Sequence, residues 1–434
     1  MQLYPIFLQH PIICTDSRLC TSGSLFFALK GENFNANAFA LSALEKGCAY
    51  AVVDEAEFAI DDRFILVDNV LDSLQQLASY HRKKLGTKII GITGTNGKTT
   101  TKELIAAVLK EKYNILFTRG NLNNHIGVPL TLLQLKPEHQ IAVIEMGANH
   151  AGEIQLLSEI VCPDYGIITN VGKAHLEGFG SLEGVMKAKA ELYKFILTDG
   201  KLIFINTGNH LLENMAKESG FILPDKKLGY SLNPEDTNAE YFAEITSCSP
   251  FLNLKWNKKG KGEVEVSTHL IGSYNAENIL AAITIGDYFN LTGEEIKNGL
   301  ESYVPQNNRS QLTSTEHNKL VVDTYNANPT SMQAAILNFA QMKVDRKILI
   351  LGDMLELGDQ SDYEHQNIVN FLQQNSFKSV LLVGKDFKKT HNPYLNFENV
   401  ENLIDYVNRN PLTNNYILIK GSRGIKLEKV LASL

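Results

Sequence analysis

"KIIGITGTNGKTTTKE", Lys88 to Glu103, decides how this chain is read. It opens as an apolar, β-branched run, turns on glycines and continues as a helix-forming stretch. A lysine directly after a glycine, followed by hydroxyl residues, is what a nucleoside triphosphate needs. Glycines let backbone N–H groups approach phosphates, and a helix start adds partial positive charge. In that reading Gly94, Thr95, Asn96 and Gly97 form the cradle. Lys98 reaches the β- and γ-phosphates, the Thr99 hydroxyl meets magnesium, and Thr100 follows in the same turn. The spacing departs from G-x-x-x-x-G-K-[ST], since Gly94 lies three residues before Gly97 and Gly91 lies six before it. The competing reading is an ordinary strand-to-helix turn with a surface lysine. The strand before and the Lys98-Thr99 pair at the helix start favour the phosphate.

Outward from this loop, the chain has 434 residues, 44% apolar and 21% charged. Those values are ordinary for a soluble globular protein, and the length suits about three domains at roughly 100–200 residues each. The formal net charge is −7, and no long basic run appears, which argues against a nucleic-acid surface. Five scattered cysteines with no C-x-x-C pair suit a reducing, cytoplasmic setting. The stretch "MQLYPIFLQHPIICTDSR" lacks a basic start and a long apolar core, so it does not read as a signal peptide. No stretch reaches ~18 apolar residues, so no membrane span is expected.

Residues 1–86 hold short strand-like runs and one helical run, a small α/β unit. Residues 87–309 alternate apolar strands ("KIIGITG", "IAVIEMG", "YGIITNVG", "GKLIFIN") with amphipathic helices, which implies parallel strands with crossover helices. Residues 227–270 break this rhythm and read as an antiparallel appendage. Residues 310–434 repeat the parallel pattern with "KLVVDTYN", "RKILILGDM", "SVLLVGKD" and "YILIKGSRG". The fold class is therefore α/β in three domains, with a ligand cleft expected between the last two, where strand carboxyl ends meet.

Other candidates lie at strand ends. Glu145 closes "IAVIE", where a carboxylate suits magnesium, a cation that prefers hard oxygen donors. His175 follows another strand, though a lone histidine is more often a packing or hydrogen-bonding residue. Glu183, Lys187 and Glu191 fall at i, i+4 and i+8, an ordinary solvated ion-pair ladder. Lys189 lies on a different face, and spacing alone marks it for nothing. "NLNNHIGVPLTLL", with Asn121 and Asn124, and "DTYNANPTSM", with Asp323, Asn326 and Asn328, can bond their own backbone or present polar groups to a ligand. Asp323 follows a strand, where a carboxylate can meet a ribose hydroxyl.

Taken together, "GITGTNGKTTTKE", "NLNNHIGVPLTLL", "EMGANHAGEI", "AHLEGFGS", "DTYNANPTSM" and "LGDMLELG" resemble the Mur ligases. Within them they resemble the branch that adds D-alanyl-D-alanine to UDP-N-acetylmuramoyl-tripeptide in peptidoglycan precursor synthesis. The matches run from "DSR" at Asp16 to "KGSRG" at Lys420. The resemblance implies an N-terminal UDP-sugar domain, a central ATPase domain and a C-terminal Rossmann-like domain. It implies ATP and Mg2+, an acyl-phosphate intermediate, and a cytoplasmic enzyme, expected to be monomeric, whose partners are the UDP-tripeptide and D-Ala-D-Ala. It assigns Lys98 to the phosphates and Thr99 and Glu145 to a first magnesium ion. His175 goes to a second, and Lys189 matches the family's carbamylated lysine. Asn275 and Asn278 match the adenine stretch, Arg309 a γ-phosphate contact and Asp323 a ribose contact. Ser17 and Arg18 match the uridine pocket, and Asn121, Asn124, Asn326 and Asn328 would line the cleft near substrate. Two positions depart: Tyr274 stands where many relatives carry His, and "VPQNNRS" replaces the commoner Pro-Gly-Arg before Arg309.

Two alternatives stand beside this. A sister ligase adding a diamino acid to the dipeptide nucleotide would usually carry Asp-Asn-Pro-Arg, whereas this chain reads "NANPTSM". A phosphate-loop motor or switch would call for a basic channel or an arginine finger facing a neighbour.

Overall fold

The computed structural model describes residues 3–222, 224–306 and 308–434. Its strands form sheets of four, nine and six, with a separate two-stranded ribbon. The four-stranded sheet is parallel and joins Ile13–Cys14, Leu25–Phe27, Tyr50–Val53 and Phe64–Leu66. The helix Val70–Leu85 follows. Asn69 caps its start by accepting the Asp72 N–H, and Gly86, at φ 66°, ends it in a left-handed turn. Its buried Leu74, Leu77 and Ala78 share one core with Ile89, Ile154 and Leu157 of the next unit. Arg82 fastens the joint by donating to the carbonyls of Val161 and Cys162, at 2.9 and 2.7 Å, and to Asp164 at 3.0 Å.

The nine-stranded sheet centres on Lys88–Thr93, flanked by Ile141–Glu145 and Tyr165–Ile168. These strands are buried on both faces, as crossover helices require. The expected antiparallel appendage over 227–270 is corrected here. Lys227–Ser231 and Tyr241–Cys248 continue the parallel sheet, and only Leu252–Lys258 and Val264–Ser267 run antiparallel at its edge. Leu252–Lys258, next to the edge strand, buries Leu252, Leu254 and Trp256 and leaves the residues between them half-exposed. This alternation reads as a separate sheet in sequence, yet its apolar face shares a core with the buried helix Asn275–Tyr288.

The six-stranded sheet is parallel apart from its first strand, Gln311–Ser314. Lys319–Asp323 and Tyr416–Lys420 are neighbours there, with Asp323 directly opposite Lys420. The molecule is thus α/β throughout. The carboxyl ends of strands from the nine- and six-stranded sheets face one cleft. Among the described residues, no helix is long and apolar enough to cross a membrane.

Candidate active site

The loop after Lys88–Thr93 has its shape because only glycine fits at two positions. Gly94 has φ 145°, and a Cβ on it would lie 2.0 Å from Thr169 Oγ1. Gly97 has φ 77°, and a Cβ there would lie 2.7 Å from Asn278 Oδ1. The neighbouring strand end pins the loop. The N–H groups of Thr95 and Asn96 donate to Asn170 O and Oδ1, both at 2.9 Å, and Thr169 Oγ1 donates to Asn96 O at 2.6 Å. Lys98 opens the helix Lys98–Lys110 and folds its Nζ back onto the carbonyls of Gly94 and Thr95, at 2.7 and 2.9 Å. Burial pushes this amine down to about 8, with Arg309 adding to the effect and Glu145 opposing it.

Glu145 ends its strand at 1% exposure. Its carboxylate accepts from Thr99 Oγ1 at 3.0 Å and from Asn123 Nδ2 at 2.8 Å, and its own N–H donates to Thr118 Oγ1. Lys102, one helical turn after Lys98 and fully buried, holds its Nζ 3.7 Å from Glu145 and 3.0 Å from Glu103. A buried carboxylate ringed by a hydroxyl, an amide and a lysine amine is held in one orientation.

His175 has a left-handed backbone, φ 49°, and its Nδ1 meets the carboxylate of Glu356 from the six-stranded unit. This contact holds the Glu356 carboxyl below its ordinary range. Lys189 lies beneath the cleft rather than on its wall. At 2% exposure, its Nζ donates to the carbonyl of Ala148, a wall residue, at 3.3 Å and sits 5.3 Å from the centre of the Phe179 ring. Burial, then the nearby Lys98 charge, push its amine down to about 7.

The six-stranded unit closes the cleft, whose volume is about 530 Å³. Lys420 pairs with Asp323 at 2.7 Å and donates to Asn326 O at 3.2 Å. Arg309 stacks 3.5 Å from the centre of the Tyr325 ring, and its Nε is buried with no hydrogen-bond partner among the described residues. Asn328 caps the helix Pro329–Gln341 and reaches across to Asn96, giving a reciprocal amide pair at 2.8 and 3.4 Å. Asn278 stands behind the loop Gly94–Gly97, bonded to Asn275 and Thr101. Tyr274 donates to or accepts from the Ser310 hydroxyl at 2.7 Å.

Lys98, Thr99, Thr100, Glu145, His175, Asn275, Asn278, Arg309, Asp323, Asn326 and Asn328 thus share one cleft with the loop Thr95–Gly97. Others do not. Ser17 and Arg18 lie on the four-stranded unit, where Arg18 is exposed, pairs with Asp16 at 2.6 Å and holds that carboxyl down to about 2. Asn121 is exposed and off the cleft wall. Asn124 lines the cleft, but its Oδ1 is taken by the N–H groups of Ile126 and Gly127. Arg423 is exposed, 5.8 Å from the Tyr325 ring. Asn307, just before Asn308 and Arg309, lies outside the described residues.

The ion-pair ladder Glu183–Lys187–Glu191 is corrected. Glu191 accepts the N–H groups of Gly152 and Gln155, capping the helix Glu153–Val161, and among the described residues Lys187 joins no ion pair. Sequence reasoning missed Asn123, Lys102, Lys420, Tyr325 and Glu356. Two signals could have found some of them. Lys102 recurs four residues after Lys98, and Lys420 ends an apolar strand where a charge is out of place.

Comparison with known proteins bears on the family and the fold. The family description "Mur ligase middle domain" matches residues 92–286, and "Mur ligase, glutamate ligase domain" matches residues 308–423. The chain is 36% identical to UDP-N-acetylmuramoyl-tripeptide–D-alanyl-D-alanine ligase of Bacillus subtilis, over 97% of this chain and 92% of that protein. A crystal structure of MurF from Acinetobacter baumannii superposes with a TM-score of 0.85 at 32% identity, covering 97% of this chain and 92% of the other. MurF ligase from Thermotoga maritima, solved in complex with ADP, gives a TM-score of 0.86 at 24% identity, over 98% and 97% of the two chains. At that identity it speaks for the fold alone.

Proposed function

The chain belongs to the Mur ligases, in the family of UDP-N-acetylmuramoyl-tripeptide–D-alanyl-D-alanine ligases, and on that premise we propose how its cleft works. It is an ATP-dependent ligase that joins D-alanyl-D-alanine to UDP-N-acetylmuramoyl-tripeptide, a step of peptidoglycan synthesis. One observation carries the site assignment. The phosphate loop with Thr99 and Glu145 faces the Asp323–Lys420 pair of a different sheet across a single cleft.

ATP is the energy-supplying substrate. Its phosphates lie over the N–H groups of Gly97 to Thr99 at the helix start, with Lys98 turning from the loop carbonyls to the β- and γ-oxygens. Arg309, whose Nε has no hydrogen-bond partner among the described residues, meets the γ-phosphate, and Asp323 meets the ribose. Asn275 and Asn278 back the adenine end. The tripeptide's terminal carboxylate attacks the γ-phosphorus, and ADP leaves. The dipeptide amine then attacks the acyl carbon, and the tetrahedral adduct collapses to amide and phosphate as the amine proton departs. Asn124, Asn326 and Asn328 border the peptide end, while Ser17 and Arg18 belong to a uridine pocket on residues 1–86. Residues 87–309 and 310–434 supply the two halves of the nucleotide site.

Magnesium suits the donors present. Thr99 and Glu145 offer hard oxygens, and the Glu145 carboxylate already has the fixed orientation a cation requires. Bound there, it would screen the repulsion between carboxylate and phosphate. Lys189 would serve a second ion near His175 if its neutral amine added to carbon dioxide with loss of a proton, because the carbamate so formed is an anionic oxygen donor. An amine held at about 7 is neutral often enough at physiological pH for that capture. Both partners of ATP are water-soluble and no described helix could cross a bilayer, which fits a cytoplasmic setting.

The test is phosphate release with ATP and magnesium, adding the UDP-tripeptide and D-Ala-D-Ala separately and together. Release that needs both, with the pentapeptide nucleotide found by mass, is expected. Release that needs a free diamino acid and the dipeptide nucleotide would move the chain to the sister ligase. Turnover of ATP without either substrate would return the motor or switch reading.

A further inference from the structure

Outside the cleft, one cluster of nucleophilic side chains has no part in the reaction above. Cys14 ends the strand Ile13–Cys14, Cys20 follows the turn Thr15–Leu19, and Cys48 follows the helix Ala40–Glu45. The sulfurs of Cys14 and Cys20 stand 2.8 Å apart. A disulfide bond is about 2.05 Å long, so closing it needs a movement of under ~1 Å. Both thiols point at one acceptor, the carbonyl of Asp16, at 3.0 and 3.7 Å. The turn between them is curled over that same carbonyl, which also accepts the Leu19 N–H at 2.9 Å. Cys14 is buried, whereas Cys20 is half-buried and within reach of a small oxidant. Cys48 is buried and turned to the Ser24 hydroxyl at 3.1 Å.

We propose that Cys14 and Cys20 form a reversible dithiol–disulfide pair, closed by peroxide, which locks the turn Thr15–Leu19. The Cys20 thiolate attacks a peroxide oxygen, the O–O bond breaks, and a sulfenic acid forms as hydroxide leaves. The Cys14 sulfur then attacks the Cys20 sulfur, the S–O bond breaks, and water departs. The two thiols lose two electrons and two protons, and one peroxide becomes two waters. A small thiol reverses the step by exchange through a mixed disulfide. Burial and the neighbouring sulfurs push the Cys20 thiol well up, so its thiolate is scarce and the pair answers sustained oxidant rather than traces.

The locked turn carries Asp16, Ser17 and Arg18. Lys46 holds Ser17 O at 2.9 Å, and Arg18 grips Asp16 through its Nε and Nη2. Pinning both ends of the turn fixes those side chains. The disulfide stands on geometry alone. Its effect on substrate rests on the proposed reading of Ser17 and Arg18 as uridine contacts.

The experiment treats the full chain with hydrogen peroxide, blocks remaining thiols by alkylation and maps the digest by mass. A Cys14–Cys20 linked peptide lighter by two hydrogens, reversed by dithiothreitol and absent in Cys20→Ser, is expected. Cys20 joined to Cys48 instead, or Cys14 and Cys20 found separately alkylated or over-oxidised, would overturn the pair. The linked protein should then show a several-fold change in KM for the UDP-tripeptide with the KM for ATP unmoved, and Cys20→Ser should show none. An unchanged KM in verified linked protein would overturn the control of the turn. Should reduced protein release no phosphate with its three substrates, the assigned reaction fails, while the linked peptide still decides the pair.

Discussion

His175 and Glu356 meet across the cleft with both backbones in the left-handed region, at φ 49° and 64°. The Glu177 N–H also donates to Glu356 O, at 3.4 Å, so two strained loops hold each other in place. A non-glycine residue held in a sparsely populated backbone region costs about 1–3 kcal/mol and persists where its surroundings fix it.

Glu356→Gly separates the two roles of that residue. Glycine accepts positive φ freely, so the variant should be more stable by about 1 kcal/mol in urea unfolding. It also deletes the carboxylate that orients His175, so phosphate release should slow. A variant that is both less stable and fully active would remove Glu356 from any role in the site.

Asn328→Asp tests the amide pair with Asn96. Aspartate keeps the helix cap, since its carboxylate still accepts the Ser331 N–H. It loses the Nδ2–H that donates to Asn96 at 2.8 Å, and it sets a negative charge beside the loop Gly94–Gly97. The KM for ATP should rise about tenfold, the equivalent of roughly 1.4 kcal/mol, with the melting temperature little changed. An unaltered KM would show that the pair plays no part in closing the cleft.

Lys189 links stability to pH. The buried amine is held at about 7, while the ordinary value is 10.5. Between those values the unfolded chain carries a proton that the folded chain lacks, so stability rises with pH across that window. Below about 7 both states are protonated, and the full penalty of burying the charge applies. In buffer free of carbon dioxide, Lys189→Met should therefore be more stable at pH 7 and show a flatter dependence from pH 7 to 10. It should also lose ligase activity. An identical pH slope in both proteins would contradict the depressed amine.

Gly94→Ala probes the cradle. Its Cβ would lie 2.0 Å from Thr169 Oγ1 at a φ of 145°, so the loop must move. A strained backbone and a clash together predict a loss of roughly 2–4 kcal/mol and of ATP binding by calorimetry. Wild-type affinity for ATP in this variant would mean that the loop does not hold the phosphates.

Which of these residues could be read from the chain depends on how local their cause is. The strand, glycine turn and helix from Lys88 to Glu103 follow from neighbouring residues, and parallel sheets follow from the alternation of elements. The extension of the parallel sheet through Lys227–Ser231 and Tyr241–Cys248 was not legible, because Tyr230 pairs with Tyr241 in a core shared with the distant helix Asn275–Tyr288. In "NLNN" the composition pointed to amides, but the register of the turn selects Asn123 for Glu145 and leaves Asn121 in solvent. Lys420 becomes meaningful only when its strand lies beside that of Asp323, 97 residues away in sequence. Glu356 needed a contact between two separately folded sheets, which no periodicity encodes.

Two of the contacts that join the central and last units differ in kind. Lys173 and Glu364 form an ion pair at 2.7 Å, with the lysine side chain about half exposed. Asn96 and Asn328 carry no charge. Salt weakens the first only well above physiological ionic strength, as the Debye length falls from ~8 Å toward ~3 Å at about 1 M, and leaves the second almost untouched. Raising ionic strength far enough would therefore loosen the outer rim of the seam before its inner end, so the two units would gape at the edge while still joined beside the loop Gly94–Gly97.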